Sequence, residues 1–401
     1  MVRQYLIDIV ERALSEKLDV TKNYHDGEFK TLIEGCVADL CRRTYITEPE
    51  KKEIVQAVFD ARRKLGILQP LLDDPEVNEI MINGTDGIYI ERGGRMQRYE
   101  KRYTDAGVLF NAIQSMVSWI NRSVNESSPI VDARLADGSR VNVVLKPVAL
   151  NGPAVTIRKF SDRVYTMEDF IANGTVSEEE AAFLSLCVKA RANIFVSGGT
   201  SSGKTTFLNV LAEKIAPEER IVTIEDSAEL RLAQPNLVRL ETKNQNSEGK
   251  GAISMRALIK AALRMRPDRI IVGEVRDESA LDMLQAMCTG HDGSMSTAHS
   301  NSAEDILTRI ETMALWEGHI NAEAIKKQIA SGIDLIVHMQ RGADMKRYVA
   351  EIAEVTGFQD GKVMLQSLYR DGKQVETYEL KEGKLCEKIR QIGEELQAIS
   401  G

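Results

Sequence analysis

The sequence predicts an α/β fold in which a parallel β-sheet with helices on both faces follows a mainly antiparallel α+β domain and a small helical bundle. Three observations support this prediction. A Gly-x4-Gly-Lys-Thr pattern joins a buried strand to a helix in the second half of the chain. Strand-like and helix-like runs alternate after it. Before it, apolar residues follow first a helical period and then a period of two.

Composition and charge argue against several classes of protein. The chain has 401 residues, enough for two or three domains, and its net charge of −8 gives no electrostatic reason to expect direct nucleic-acid binding. No apolar run approaches the length of a transmembrane segment, and the N-terminal stretch is amphipathic rather than a secretory signal. The five cysteines are scattered without a C-x-x-C pair, which argues against a zinc site and for reduced thiols in a cytosol.

Residues 1–68 are predicted to form the helical bundle. Three stretches carry apolar residues at i, i+3 and i+4, namely YLIDIVERAL, FKTLIEGCVADLCRRT and EKKEIVQAVFDARRKLG. Gly66 ends the third stretch. The bundle contains no group of chemically reactive side chains, so a packed structural module is favoured over a partner-docking role.

Residues 69–162 are predicted to form the α+β domain. The short runs VNEIMI, GIYIER and MQRYE are separated by glycine-containing turns, and a helix is predicted over residues 106–120. In the hairpin that follows, the turn ADG joins IVDARL to SRVNVVL, and PAVTIRKF adds the last strand.

Arg134 and Arg140 stand on the two arms of this hairpin. One interpretation is that they are solvated charges or ion-pair partners of Asp132 and Asp137. The other is that they act as arginine fingers, which approach a γ-phosphate and neutralise the charge that grows during phosphoryl transfer. Spacing alone leaves both interpretations open.

Residues 163–176 are predicted as a linker and residues 177–401 as the α/β domain. A capping-box pattern, Ser177-x-x-Glu180, opens the first helix. The strands IFV, IVTIE, LVRLE, RIIVGE and GSMSTA then alternate with helical runs such as SMRALIKAALR and SALDMLQAM. In sheets of this kind ligands bind beyond the carboxyl ends of the strands, and the polar residues of interest cluster at those ends.

The phosphate-binding loop (P-loop) follows the strand IFV. The residues to which we assign nucleotide binding are Gly198, Gly199, Thr200, Ser201, Ser202, Gly203, Lys204, Thr205 and Thr206. The glycines allow a tight turn that brings backbone N–H groups against phosphate oxygens, and the next helix points its positive end at the same anion. Lys204 is expected to reach the β- and γ-phosphates of ATP, and the Thr205 hydroxyl to hold Mg²⁺.

Two carboxylates close predicted strands. Glu274 ends the buried run RIIVGE and is the candidate base that activates water, the alternative being a helix-capping acid. Glu225 ends IVTIE and is expected to support the metal. Both carboxylates are expected to contact Mg²⁺ through water.

His299 ends the strand GSMSTAH, and His291 precedes the same strand. A structural role and a contact with the γ-phosphate are both open for His299, which is not expected to be the base. Arg264, Arg266 and Arg269 lie close together in sequence. They form either a solvated or salt-bridged patch, or a group that contacts nucleotide across a subunit boundary.

Together, four motifs resemble one family. GGTSSGKTT, IVTIEDSAEL, RMRPDRIIVGEVRD and TGHDGSMSTAHSNS are similar to the P-loop, Asp box, Walker B motif and His box of the ATPases that serve type II secretion, type IV pili and type IV secretion. Further forward, IMINGTDGIYIERGG and SSPIVDARLADGSRVN resemble the N-terminal domain of the Flp/Tad pilus assembly ATPases of the CpaF type. The resemblance covers about residues 68–370.

The resemblance implies a RecA-like P-loop ATPase domain, joined by a mobile linker to a PAS-like α+β domain. It also implies a homo-hexameric ring, peripheral on the cytoplasmic face of the inner membrane, in which ATP turnover rotates the domains and acts on an inner-membrane platform protein. In such a ring Arg134 and Arg140 approach the nucleotide, and His299 matches the histidine of the His box.

Two departures from the family pattern bear on the branch and the site. The four-cysteine zinc module usual in type II secretion is absent from the sequence, which favours the pilus branch. Asp277 stands where glycine is commoner, and this residue is expected to alter the turn after Glu274 without abolishing activity.

Two other functions are compatible with the P-loop. A nucleic-acid translocase is opposed by the acidic net charge and the lack of interleaved aromatic residues. A scaffold that senses nucleotide without hydrolysing it is opposed by the intact Lys204, Thr205 and Glu274.

Overall fold

The computed structural model describes residues 4–18, 24, 26–63, 65–118, 123–135, 137–160, 164–243, 245, 250–318, 320–375 and 383–400. The chain divides into two compact units, Met1–Asp162 and Arg163–Gly401. Within the described ranges no helix combines the length and the apolar character that crossing a lipid bilayer requires.

The first unit begins with the predicted helical bundle, which is confirmed. Its helices are α1 (Gln4–Lys17), α2 (Asp26–Cys41) and α3 (Glu48–Arg63). Leu14, Ile33 and Ile54, one from each helix, are fully buried in a shared apolar core. Because the bundle has its own core, the three helices stabilise one another by packing rather than by helix propensity alone.

An antiparallel sheet follows, as predicted. A 3-10 turn (Gly66–Leu68) and α4 (Gln69–Asp73) lead into it. Its elements are β1 (Val77–Asn83), β2 (Gly87–Arg92), β3 (Arg95–Arg98), α5 (Ala106–Ser118), β4 (Ile130–Arg134), β5 (Arg140–Val144) and β6 (Ala154–Arg158). The strand order is β3-β2-β1-β6-β5-β4. Leu109 and Ile113 of α5 pack in the core of this sheet. Residues 119–120 of the predicted helix and residue 136 of the predicted hairpin turn lie outside the described residues.

The second unit is built on a nine-stranded sheet. Its strands are β7 (Ile194–Gly198), β8 (Ile221–Glu225), β9 (Leu237–Glu241), β10 (Arg269–Val272), β11 (Met295–His299), β12 (Leu335–Arg341), β13 (Arg347–Gln359), β14 (Lys362–Arg370) and β15 (Lys373–Gln374). The order is β15-β14-β13-β12-β7-β11-β10-β8-β9. The six strands from β12 to β9 are parallel, whereas β13, β14 and β15 join antiparallel and make the sheet mixed.

Helices cover both faces of this sheet. They are α6 (Met167–Ala172), α7 (Glu178–Lys189), α8 (Lys204–Ala212), α9 (Met255–Ala262), α10 (Ser279–Cys288), α11 (Asp305–Leu315), α12 (Ala322–Gly332) and α13 (Lys384–Ser400). One core contains side chains of α6, α7, α8 and α13, and the other contains those of α9 to α12. Alternation along β7 sends Val196 into the first core and Phe195 into the second.

The segment predicted as a linker contains α6. Thr166 caps this helix in a reciprocal capping box with Asp169. Phe170 of α6 stacks on Phe207 of α8, with ring centroids 5.6 Å apart and planes 2° from parallel. This part of the segment is therefore packed into the second unit. The capping box predicted at Ser177 is also formed, and it opens α7.

Candidate active site

The P-loop joins β7 to α8, in the strand–turn–helix arrangement that the sequence predicts. Gly198 has φ 152°, and a Cβ atom placed there would lie 2.4 Å from the Met339 carbonyl oxygen and 2.7 Å from the Ser202 hydroxyl. Gly203 has φ 92° and caps α8 with a left-handed conformation. Both positions therefore require glycine, one for lack of space and the other for its backbone conformation.

The residues of the loop differ in exposure. Thr205 is half-buried at the start of α8, whereas Gly199, Thr200 and Thr206 are exposed. Ser202 is buried, and its hydroxyl donates to the Gly199 carbonyl oxygen over 3.0 Å. The exposed loop residues and the N-terminus of α8 form the kind of cradle that binds a phosphate anion.

Lys204 is 7% exposed and lies over its own loop. Its Nζ donates to the Gly199 carbonyl oxygen at 2.8 Å and lies 3.2 Å from Nδ1 of His299. The lysine of the P-loop and the histidine that ends β11 are therefore in direct contact. Parallel pairing of β7 with β11, which sets Gly198 opposite His299, produces this contact.

His299 also contacts Glu274, since its Nε2 lies 3.0 Å from a carboxylate oxygen of Glu274. Burial, followed by the charge of Lys204, lowers the pKa of His299, while Glu274 opposes that shift. The imidazole is therefore neutral at neutral pH. With its proton on Nε2, the neutral imidazole accepts a hydrogen bond from Lys204 through Nδ1. The Glu274 oxygen that lies close to Nε2 has no hydrogen-bond partner among the described residues.

Glu274 follows β10 and has a second partner. Its other carboxylate oxygen lies 2.5 Å from an Nη atom of Arg276. Arg276 extends to 3.9 Å from Asp226, which follows β8. The hydrogen bond to Glu274 raises the pKa of Arg276, so the guanidinium remains charged. Glu274 is thus held between a neutral histidine and a charged arginine, an orientation that a general base requires.

Glu225 lies beside this group at the end of β8, where it is 3% exposed. One carboxylate oxygen accepts from the backbone N–H groups of Glu229 and Leu230 at 2.8 and 2.9 Å. The other has no hydrogen-bond partner among the described residues. Burial raises the pKa of Glu225, and its side chain packs on Gly273, directly before Glu274. A buried carboxylate oxygen without a partner fits a role toward a metal-bound water.

The donor set fits a magnesium–nucleotide complex. The described residues contain no cluster of three or more His, Cys, Asp or Glu side chains that would hold a metal by itself. A hydroxyl on the P-loop with carboxylates nearby is instead the arrangement in which Mg²⁺ is shared with a phosphate chain. Thr205 would supply the protein ligand, and Glu225 and Glu274 would act through water.

Arg134 and Arg140 lie in the first unit, as register partners across the β4–β5 hairpin. The Nε of Arg134 donates to the Gly138 carbonyl oxygen at 3.2 Å, and its guanidinium lies 5.9 Å from the centroid of the Phe160 ring. Asp132, one of the considered ion-pair partners, accepts a hydrogen bond from Asn142 at 2.9 Å. An action of Arg134 and Arg140 on nucleotide stays a proposal.

The structure decides between the two interpretations of Arg269 and locates His291. Arg269 is fully buried and forms a bidentate pair with Glu219 at 2.7 and 2.9 Å, at the start of β10. The salt-bridge interpretation is therefore confirmed for Arg269, and contact with nucleotide across a subunit boundary is wrong for it. His291 precedes β11, at the end of that strand opposite to His299, and does not join the site.

Three residues of the site were missed from sequence. Arg276 was inside the quoted motif GEVRD, and its charge next to Glu274 was the available signal. His338 lies on β12, and its Nδ1 is 2.8 Å from the hydroxyl of Ser197 on β7. Arg347 on β13 donates from Nε to the carbonyl oxygen of Ser201 at 3.0 Å. No local sequence pattern predicts the contacts of His338 and Arg347, because they depend on the order of strands in the sheet.

Comparison with known proteins gives one consistent result. Residues 61–389 match the family described as type II/IV secretion system protein. The conjugal transfer protein TrbB of Rhizobium radiobacter is 35% identical over 292 residues, which cover 72% of this chain and 87% of TrbB. The type IV secretion system protein VirB11 of Brucella suis is 29% identical over 315 residues, which cover 71% of this chain and 87% of VirB11. The structure of the ATPase DotB of Legionella pneumophila shares the fold, with a TM-score of 0.51 and 19% identity over 70% of this chain and 77% of DotB.

Proposed function

This chain belongs to the type II/IV secretion system protein family and is an ATP hydrolase, and we propose that it uses Mg²⁺-dependent ATP hydrolysis to power a secretion or pilus-assembly machine. One observation carries the proposal. Lys204 contacts His299, and His299 contacts Glu274, so the residue that binds phosphate and the residue that activates water belong to one line of direct contacts. The three residues come from three separate motifs.

The P-loop supplies the binding step. Backbone N–H groups from Gly199 to Thr205 and the N-terminus of α8 attract the phosphates, and the Lys204 ammonium adds a full positive charge. Thr205 would hold Mg²⁺, which supplies charge neutralisation at the β- and γ-phosphate oxygens. Bound phosphate oxygens compete with the Gly199 carbonyl oxygen and with His299 for the protons of Lys204.

Glu274 would carry the chemical step. Its carboxylate takes a proton from the attacking water, which requires that one oxygen be available in the productive state. One oxygen accepts a hydrogen bond from Arg276, whereas the other, 3.0 Å from the neutral His299, has no hydrogen-bond partner among the described residues. The oxygen on the histidine side is therefore the one available to the water. Movement of Lys204 toward phosphate would leave His299 in contact with Glu274 alone. Phosphate binding at Lys204 would therefore alter the surroundings of the base through His299.

The finer assignment rests on the motifs of the first unit. The stretches IMINGTDGIYIERGG and SSPIVDARLADGSRVN support the Flp/Tad pilus assembly branch. We place Arg134 and Arg140 at the nucleotide of a homo-hexameric ring, where they neutralise charge in the transition state. The proposed location is the cytoplasmic face of the inner membrane, the proposed partner is an inner-membrane platform protein, and the proposed hinge is the linker between the units.

The test is a phosphate-release assay on the purified full-length chain with ATP, with and without Mg²⁺. The expected result is turnover that requires Mg²⁺ and is unchanged by added DNA or RNA. Size-exclusion chromatography with light scattering, run with and without nucleotide, tests the ring in the same preparation. Absence of phosphate release at every protein concentration and assembly state would overturn the proposed motor. Strong stimulation by DNA or RNA would instead favour a nucleic-acid translocase.

A further inference from the structure

Arg347 reaches the P-loop from a distant part of the chain. It begins β13, and β13 pairs with β12 in a hairpin next to β7. The Nε of Arg347 donates to the carbonyl oxygen of Ser201 at 3.0 Å. Its Cδ lies close to Gly203, where an added Cβ would be 3.0 Å away. The arginine therefore contacts the loop at two places on either side of Ser202.

Among the described residues, the terminal nitrogens of Arg347 have no hydrogen-bond partner. Its side chain makes the one hydrogen bond to Ser201 there and no ion pair. The residue is exposed at the edge of the loop. Its charge thus lies beside the phosphate cradle, and no carboxylate of the described part of the chain pairs with it.

Ser201 has a conformation that explains why such a contact matters. Its φ is 58°, in the left-handed region that residues with a side chain seldom adopt. A carbonyl and the next N–H point in opposite directions across a planar trans peptide. Arg347 therefore holds the Ser201 carbonyl oxygen on its own side and turns the N–H of Ser202 to the opposite side. In the structure that N–H donates to the Gly199 carbonyl oxygen with the nitrogen and oxygen 3.4 Å apart, a long hydrogen bond that a phosphate oxygen would replace.

We propose that Arg347 is a positioning residue for phosphate binding: its Nε–H fixes the Ser201–Ser202 peptide so that the N–H of Ser202 faces a bound nucleoside polyphosphate. The neighbouring wall of the loop is the β12 backbone, whose Met339 carbonyl lies against Gly198. The loop is thus shaped by the C-terminal hairpin as well as by its own sequence. This inference rests on the proposed ATP hydrolysis, and it names which residue prepares the site for the nucleotide.

Two variants separate geometry from charge. Arg347→Ala removes the donor and the charge. Arg347→Gln removes the charge but places an amide N–H at the position that Nε occupies, because glutamine and arginine share the same three-carbon stem. Lys346→Ala is the control, since Lys346 is the adjacent exposed residue in the same hairpin and carries the same charge. The probes are fluorescent N-methylanthraniloyl ADP and ATP, titrated into each full-length protein, followed by steady-state ATP turnover.

We expect Arg347→Ala to raise the Kd for nucleotide and the KM for ATP by about tenfold, with kcat changed less than about twofold. Arg347→Gln should stay within about threefold of the unsubstituted protein, and Lys346→Ala should not differ from it. Thermal melting of each variant verifies that it is folded at the titration temperature. A merely structural role would lower the melting temperature without this recovery by glutamine.

Several outcomes would overturn the inference while leaving ATP hydrolysis intact. One is a Kd for Arg347→Ala equal to that of the unsubstituted protein. Another is a Kd for Arg347→Gln as weak as that for Arg347→Ala, which would reduce the role of Arg347 to its charge. Failure of the unsubstituted protein to bind either nucleotide would overturn the proposed function itself, so the two failures are distinguishable. If Arg347→Ala does not fold, the comparison of Arg347→Gln with Arg347→Met decides.

Discussion

The Nδ1 atom of His299 lies 3.2 Å from the ammonium nitrogen of Lys204, so the strand that carries the His box ends on the lysine of the P-loop. The other ring nitrogen is 3.0 Å from Glu274. A neutral imidazole accepts a hydrogen bond at one nitrogen and presents an N–H at the other, so His299 connects phosphate binding with water activation. Because Lys204, His299 and Glu274 have different roles in this arrangement, we expect their substitutions to have different effects on nucleotide binding and on turnover.

Glu274→Gln is expected to bind ATP with nearly unchanged Kd and to lower kcat by about 10²–10⁴-fold. The amide keeps the size of the side chain and, through its carbonyl oxygen, the contact with Arg276, but it cannot accept a proton from water. Nucleotide titration and phosphate release on the same sample measure the two quantities. Glu304→Gln, at an exposed glutamate just after β11, is the matched control and should retain full turnover. Undiminished kcat in Glu274→Gln would remove the residue from its role as base.

His299→Ala is expected to lower kcat by roughly 10²-fold while the Kd for ATP changes less than threefold. The reason is that the histidine orients Glu274 and Lys204 but is not itself the base. His291→Ala serves as the control, because His291 lies before β11 at the other end of that strand. Equal loss of kcat in both variants would show that any histidine beside β11 supports the fold rather than the reaction.

Glycine positions in the P-loop give a prediction about stability. Gly198→Ala should destabilise the second unit by more than about 2 kcal/mol, because its Cβ would lie 2.4 Å from the Met339 carbonyl oxygen and φ is 152°. Gly199→Ala should cost less than about 1 kcal/mol, since an added Cβ there has no heavy atom within 4 Å. Denaturant unfolding of the two variants measures the difference. Equal midpoints would mean that the loop moves to accept the methyl group at Gly198.

Stability should fall in mild acid, and His338 is one cause. Burial lowers the pKa of His338, whose imidazole is bonded to Ser197. Below the ordinary histidine pKa of about 6.5 the unfolded chain then binds more protons than the folded chain. This contribution to the free energy of unfolding is therefore present above that pH and is lost as the pH falls. His338→Asn should show a smaller drop in melting temperature between pH 7.5 and 5.5 than the unsubstituted protein.

The opposite sign for His338→Asn, a larger drop in melting temperature, would mean that the protonated imidazole is stabilised in the fold. Glu351 and Asp305 are the carboxylates that favour protonation, and Lys204 opposes it. His291→Asn controls for the removal of a histidine elsewhere in the second unit, outside the hydrogen bond to Ser197.

Local features of the site could be predicted from sequence, whereas the contacts between its parts could not. The P-loop is specified within a few residues, because glycine at 198 and 203 meets a local backbone requirement. Glu274 could be placed at a strand end because it follows the apolar run Ile270–Val272, and His299 because it closes the strand-like stretch GSMSTAH. The bond from His299 to Lys204 depends instead on β11 lying next to β7, which is a property of the whole sheet.

The same distinction applies to the fold. Alternating strands and helices predicted the parallel core, since each element has its own periodicity. The antiparallel attachment of β13, β14 and β15 follows from which edge remained open beside β12, and no period encodes that choice. The helix α6 was missed because six residues give too short a pattern, although its cap at Thr166 was readable. The contact of Arg347 with Ser201 could not be predicted either, because it depends on the attachment of β13 beside β12.

The remaining prediction concerns the first unit. Arg134→Ala should lower kcat by about 10³-fold with little change in the Kd for ATP, if the residue neutralises charge in the transition state as proposed. The Arg134 side chain already has a defined conformation, since its Nε donates a hydrogen bond to the Gly138 carbonyl oxygen and its guanidinium packs near Phe160. Ordering an arginine in advance reduces the entropy lost when it meets an anion.

Arg158→Ala is the control for this substitution. Arg158 lies on β6 of the same sheet, is exposed, and stands opposite Arg140 in the register. Arg158→Ala removes the same charge from the same unit as Arg134→Ala, so a general electrostatic effect would lower kcat equally in both variants. Loss confined to Arg134→Ala, measured by phosphate release at saturating ATP, would support an arginine finger. Normal turnover in Arg134→Ala would exclude that role, because a group that stabilises the transition state cannot be removed without raising the barrier.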